Sequence, residues 1–135
     1  ILVPLSADRP GLVAFALEEC RERQAELLLL FLRPIAVTPM GPNPLPALAE
    51  DAQALAVLDR VNGEALRTGV PIRPLYEVTR DMPQTILDVA RAHRADLVLM
   101  EATRRNILWR ALFGDEIRSV LAHLPERVGL LLHTA

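Results

Sequence analysis

The chain has 135 residues and a formal net charge of −2, and its fifteen basic residues are all arginine. That near-neutral balance leaves no electrostatic footprint for nucleic acid, and the arginine bias reads as composition, not as a site. Hydrophobic residues make up 51% of the sequence and aromatics 4%, so one domain is expected around a Leu, Val, Ile and Ala core that buries roughly 70% of the unfolded surface.

"ILVPL" (1–5) predicts a first strand ending at Ser6. The chain opens in mid-strand without an initiator Met, as a domain cut from a longer protein would; removal of disordered ends would leave the same pattern. Apolar residues at Leu12, Val13, Ala16, Leu17 and Cys20 then recur at helical spacing, with Asp8 as the expected N-cap and Pro10 in the first turn. Cys20 is the only cysteine, which excludes an internal disulfide and favours a reducing, cytoplasmic setting. Its place on a helix face points to packing and not to a reactive thiol.

"AELLLLFLRPIAV" (25–37) lacks alternation, as a central strand covered on both faces should. Its longest apolar run, Leu27 to Leu32, falls far short of the roughly 20 residues that span a bilayer, so no direct membrane insertion of this domain is expected. The proline-rich "TPMGPNPLP" (38–46) is a loop. From Ala47 to Thr68 a second helix is expected, with Leu48, Ala52, Leu55, Leu58 and Val61 or Asn62 facing inward and Gly69 ending it. "VPIRPLYEV" (70–78) carries Pro71 and Pro74, which a sheet edge tolerates.

Asp81, with Gln84 three residues on, opens a third helix in a capping-box pattern, burying Ile86, Leu87, Val89 and Ala90. "ADLVLMEA" (95–102) is a second buried strand, "DEIRSVLAHL" (115–124) an amphipathic helix stopped by Pro125, and "RVGLLLHT" (127–134) a closing strand. The alternation predicts an α/β fold, a doubly wound five-stranded parallel sheet with helices on both faces. Ligands in such sheets sit outside the carboxyl ends of the strands, where the loops Ser6 to Asp8, Pro34 to Val37 and Glu101 to Gly114 should meet.

Three segments carry a resemblance: "ILVPLSAD", "TILDVARAHRADLVLMEA" and "LFGDEIRSVLAHLPERVGLLL". Together they resemble the universal stress protein (UspA-like) domain over essentially the whole chain, 1–135. The resemblance implies strand order 3-2-1-4-5, an adenine nucleotide alpha hydrolase-like fold, and dimers formed through the last strand. Nucleotide-binding members carry Gly-x-x-Gly, nine residues, then Gly and Ser or Thr after the fourth strand, where backbone N–H groups meet the phosphates.

Here the spacing is kept, but the leading positions are Glu101 and Arg104, Gly114 alone remains of the glycines, and Asp115 replaces the hydroxyl residue. Ser6 stands where those members have a first-strand aspartate, and Val37 lies in the neighbouring loop of the same degenerate site. Carboxylates at Glu101 and Asp115 would each repel a triphosphate by on the order of 1 to 4 kcal/mol. ATP binding in the family's usual mode is therefore expected to be lost, leaving no cofactor.

The competing reading takes Arg104, Arg105 and Arg110 as an anion clamp for ATP or AMP. Three arginines near a helix start are more often a solvated face or partners of Glu101 and Asp115 than a clamp, and Asp115 has a sufficient role as N-cap. Trp109 either covers the vacated pocket or anchors a partner. His93, His123 and His133 are dispersed, which argues against a metal, and neither Ser6 nor Ser119 has an evident His and Asp partner, so no catalytic residue is assigned.

The reading favoured by the sequence is a non-catalytic regulatory and dimerisation domain. The resemblance extends to cytosolic domains of membrane transporters, namely amino acid permeases and cation/proton antiporters. The alternative is a free-standing stress-response protein that binds a nucleotide or another anion. An enzyme such as a nucleotide hydrolase lacks an identifiable nucleophile, base or metal ligand. A homodimer is expected through Val128, Gly129, Leu130, Leu131, Leu132 and His133, because an apolar edge strand is a liability unless paired or covered.

Overall fold

The apolar runs become five strands: β1 (Leu2–Leu5), β2 (Leu27–Pro34), β3 (Ile72–Thr79), β4 (Leu97–Ala102) and β5 (Gly129–Thr134). Between them lie α1 (Pro10–Arg23), α2 (Ala52–Thr68), preceded by a 3-10 turn at Leu48–Glu50, and α3 (Met82–Ala92). The computed structural model describes residues 1–35, 48–102, 120 and 122–134. The proline loop 38–46 lies outside these residues, as does most of the last expected helix, of which Val120, Ala122 and His123 are described as helical.

All strand pairings are parallel and the order is β3-β2-β1-β4-β5, as expected. Central strand β2 aligns Leu28 to Phe31 with Leu2 to Leu5 on one side and all of β3 on the other. Its continuous apolar run follows from burial on both faces. Leu27, Leu29 and Phe31 join Val3, Leu5 and Leu99 beneath α1 and α2, whereas Leu28, Leu30 and Leu32 join Leu2, Val98 and Met100 beneath α3. Successive side chains on a strand point to opposite faces, so each layer takes alternate residues. Pro74 is in register with Leu29 at the sheet edge, while the Pro71 carbonyl accepts the Leu27 N–H at 2.8 Å.

The helix ends follow local chemistry with two corrections. Asp8 does not cap α1: Arg9 occupies the N-cap without a side-chain bond, and the Asp8 carboxylate instead accepts from Arg60 on α2. Asp81 does cap α3, accepting the Gln84 N–H at 3.1 Å. The return half of the expected box comes from elsewhere, because the Asp81 N–H donates to Thr79 Oγ1 while the Gln84 side chain donates to Asp88.

Helix α2 starts at Ala52, and its buried stripe is Ala54, Val57, Leu58, Val61 and Ala65, leaving Ala52 exposed. Leu58 and Val61 are buried as expected, Leu48 and Leu55 are half-buried, and packing against the sheet adds Ala54, Val57 and Ala65 to the stripe. Gly69 closes the helix at φ 74°. A Cβ there would meet nothing within 4 Å, so Gly69→Ala carries only backbone strain and should destabilise by about 1 kcal/mol in thermal or urea unfolding. Cys20 is buried in the α1 layer, and burial raises its thiol pKa, as a packing role requires.

Candidate functional site

Strand order reverses between β1 and β4, and the carboxyl ends of these strands frame a cleft. Ser6 follows β1 and Glu101 lies near the end of β4, so the sheet brings these two expected positions together, with Arg9 at the start of α1. The remaining walls are mainly apolar, including Leu12, Ile86 and Met100. Val37, Arg104, Arg105, Gly114 and Asp115 lie outside the described residues, as do Arg110 and Trp109.

An ion pair lies in the wall of the cleft. Arg9 Nε lies 3.0 Å from Glu101 Oε2, with the glutamate side chain 15% and the arginine side chain 49% exposed. Glu101 thus takes its partner from the first helix. The pair joins β4 to the N-terminus of α1, where an anion would otherwise find a guanidinium and free backbone N–H groups. An incoming phosphate must compete with an attached carboxylate for Arg9. The cavity beneath is about 90 Å³.

A second polar constellation, not anticipated from the sequence, stands at the same end of the sheet. Arg33 near the end of β2 donates from Nε and Nη2 to the two Asp51 carboxylate oxygens, both at 2.7 Å, and also to Gln53 at 2.9 Å. Tyr76 Oη on β3 donates to Asp51 at 2.7 Å, and the Ala54 N–H does so at 3.1 Å. Arg33 also lies over the Phe31 ring, 5.3 Å from its centroid, and that ring stacks with Tyr76.

Asp51 is almost fully buried, yet the Arg33 hydrogen bonds hold its carboxyl well below the usual range, against the opposing effect of desolvation; Tyr76 and Ala54 add to the lowering. The Tyr76 hydroxyl is pushed up, first by burial and then by its bond to Asp51. With the carboxylate engaged by three donor groups, the network is suited to joining α2 to the sheet edge. Its only local sequence signal is an Asp at a helix start.

Of the expected dimer positions, Leu132 is 42% exposed on β5, Gly129 is exposed, and Val128, Leu130 and Leu131 are half-buried. His133 is also half-buried, its ring 5.0 Å from that of Phe15 on α1 and its Nδ1 without a hydrogen-bond partner. Among the described residues no group of three or more His, Cys, Asp or Glu could hold a metal, and no helix is long and apolar enough to cross a membrane.

The sequence model of the universal stress protein family matches residues 1–128. No curated protein matches the chain. Among solved structures, a universal stress protein from Archaeoglobus fulgidus in complex with dAMP superposes with a TM-score of 0.67 at 15% identity, over 97% of this chain and 94% of that one. A universal stress protein in complex with cAMP gives 0.70 at 17% identity, over 98% and 94%. A family protein from Arabidopsis thaliana with AMP bound gives 0.63 at 17%, over 99% and 91%.

Proposed function

The chain belongs to the universal stress protein family, and from that premise we propose that it is a non-catalytic regulatory and dimerisation domain that has lost the family's usual ATP mode. The observation that carries this reading is the Arg9–Glu101 ion pair across the strand-end cleft. It places a carboxylate where phosphate binding calls for close backbone and positive charge, and it engages the nearby guanidinium. Arg104, Arg105, Gly114 and Asp115 complete the altered loop in sequence, and Ser6 supplies no carboxylate to a nucleoside. The proposed setting is cytoplasmic, including the cytosolic face of a membrane when the domain serves a transporter such as an amino acid permease or cation/proton antiporter.

The second reading is a free-standing stress protein that binds an adenine nucleotide or another anion. Two observations favour it: solved structures with this fold are described in complex with dAMP, cAMP and AMP, and Arg9 lines the cleft. Isothermal titration with Mg-ATP, ADP and AMP at modest ionic strength separates the two readings. The expected result is no binding by the unmodified chain and a gain by the Glu101→Gly, Arg104→Gly double variant. Micromolar binding by the unmodified chain would replace the first reading with the second.

A further inference from the structure

The opposite end of the sheet carries a different collection of charge. There the C-terminal end of α3 and the turn before β5 surround a cavity of about 540 Å³, lined in part by Arg91, Arg94, Arg127, Asp96, Ala95 and Val128. Two backbone bonds frame it: the Gly129 N–H donates to the Asp96 carbonyl at 3.0 Å, and the Val128 N–H to the Pro125 carbonyl, also at 3.0 Å. Arg91 Nη2 contacts the His123 carbonyl at 3.4 Å, bridging the two sides.

A basic residue in the last turn of a helix offsets the negative end of its dipole, which accounts for Arg91. It does not account for Arg94 or Arg127. Six other arginines (Arg9, Arg21, Arg23, Arg33, Arg60 and Arg73) pair with carboxylates. Among the described residues the exposed Arg94 and Arg127 have no side-chain hydrogen bond or ion pair, as is also true of Arg67 and Arg80, but only Arg94 and Arg127 line the same cavity. Two exposed guanidiniums without a partner and a third engaged through one nitrogen therefore line one open cavity, and Asp96, also exposed, is the one carboxylate among its described lining residues.

We propose that this basal cavity binds a small phosphate-bearing anion, held by Arg94 and Arg127 with Arg91 in support. Guanidinium groups suit phosphate because their planar fork offers paired donors to its oxygens. Asp96 is placed to accept from a hydroxyl on the same ligand, and Ala95 and Val128 offer an apolar wall to its carbon skeleton. The site lies at the amino ends of β4 and β5, remote from the strand-end cleft, and does not rest on the reading of that cleft.

The test is amide-resolved NMR of the 135-residue chain titrated with ribose 5-phosphate and, separately, with inorganic phosphate. Saturable shifts are expected at Arg94, Asp96, Arg127 and Val128, with affinity weakened about tenfold or more in the Arg94→Gln, Arg127→Gln double variant. Arg67→Gln, at an exposed arginine on α2, should leave it unchanged. Tighter binding of ribose 5-phosphate would identify an organic phosphate as the ligand, and equal binding would identify the free ion. The proposal would be overturned by shifts confined to Ser6 and Glu101, by equal weakening in Arg67→Gln, by tighter binding of an acidic peptide than of either phosphate, or by no saturable shift.

Discussion

Replacing Asp51 with alanine should destabilise the fold by about 3 to 5 kcal/mol, the usual range when one partner of a buried charge pair is removed and the other is left behind. The carboxylate is bonded to Arg33, Tyr76 and the Ala54 N–H. Its loss leaves a half-buried guanidinium without its main partner and removes the cap of α2. For a chain of this length the midpoint of thermal unfolding should fall by about 10 °C or more. Asp51→Asn, which keeps a capping oxygen but loses the charge, should cost less. An unchanged midpoint in Asp51→Ala would mean that the network contributes nothing net.

The same carboxylate sets a pH dependence. Its pKa in the fold is lowered, chiefly by Arg33, so the unfolded chain takes up the proton at higher pH than the folded one. The contribution of Asp51 is therefore fully present above the unfolded value of about 4 and is lost as pH falls below it. The stability gap between the unmodified chain and Asp51→Asn should be widest near neutrality and narrow in acid. A gap independent of pH would assign the effect to packing.

The second large effect concerns β5, the outer strand beside β4. Among the described residues no strand pairs with its outer edge, and Leu132 is 42% exposed. Antiparallel pairing of two copies through residues 128–133 would satisfy the edge and cover both leucines. The unmodified chain should therefore sediment as a dimer, and Leu132→Asp should weaken that dimer roughly a hundredfold, or about 3 kcal/mol, since each interface loses a buried leucine twice and gains two like charges. A monodisperse monomer at high micromolar concentration would sink the proposal. His133 offers a poorer probe, because its ring packs against Phe15 on α1 and its substitution would disturb the protomer itself.

The strand-end cleft was legible in part. Glu101 was identifiable by its spacing in the family pattern and Ser6 by its place at the end of the first strand, and both line the strand-end cleft. Arg9 was not, because it belongs to no part of that pattern and its role depends on where α1 begins. Asp8 illustrates the same gap: its type and position suit an N-cap, yet a charged partner on α2 takes its carboxylate. A cap preference of about 1 kcal/mol is small enough for the path of the chain into the helix to override it.

What the sequence by itself determined is what local periodicity and backbone chemistry control. The unbroken apolar run of β2 encodes burial on both faces, the prolines of β3 suit an edge, Gly69 ends α2, and Asp81 opens α3. Only the tertiary structure decided which charges meet. Arg33 and Asp51 are 18 residues apart, Asp51 and Tyr76 are 25 apart, and Arg9 meets Glu101 across the sheet. Long polar side chains have no periodicity that names their partner, so the packed backbone must first bring the two ends of the pair together.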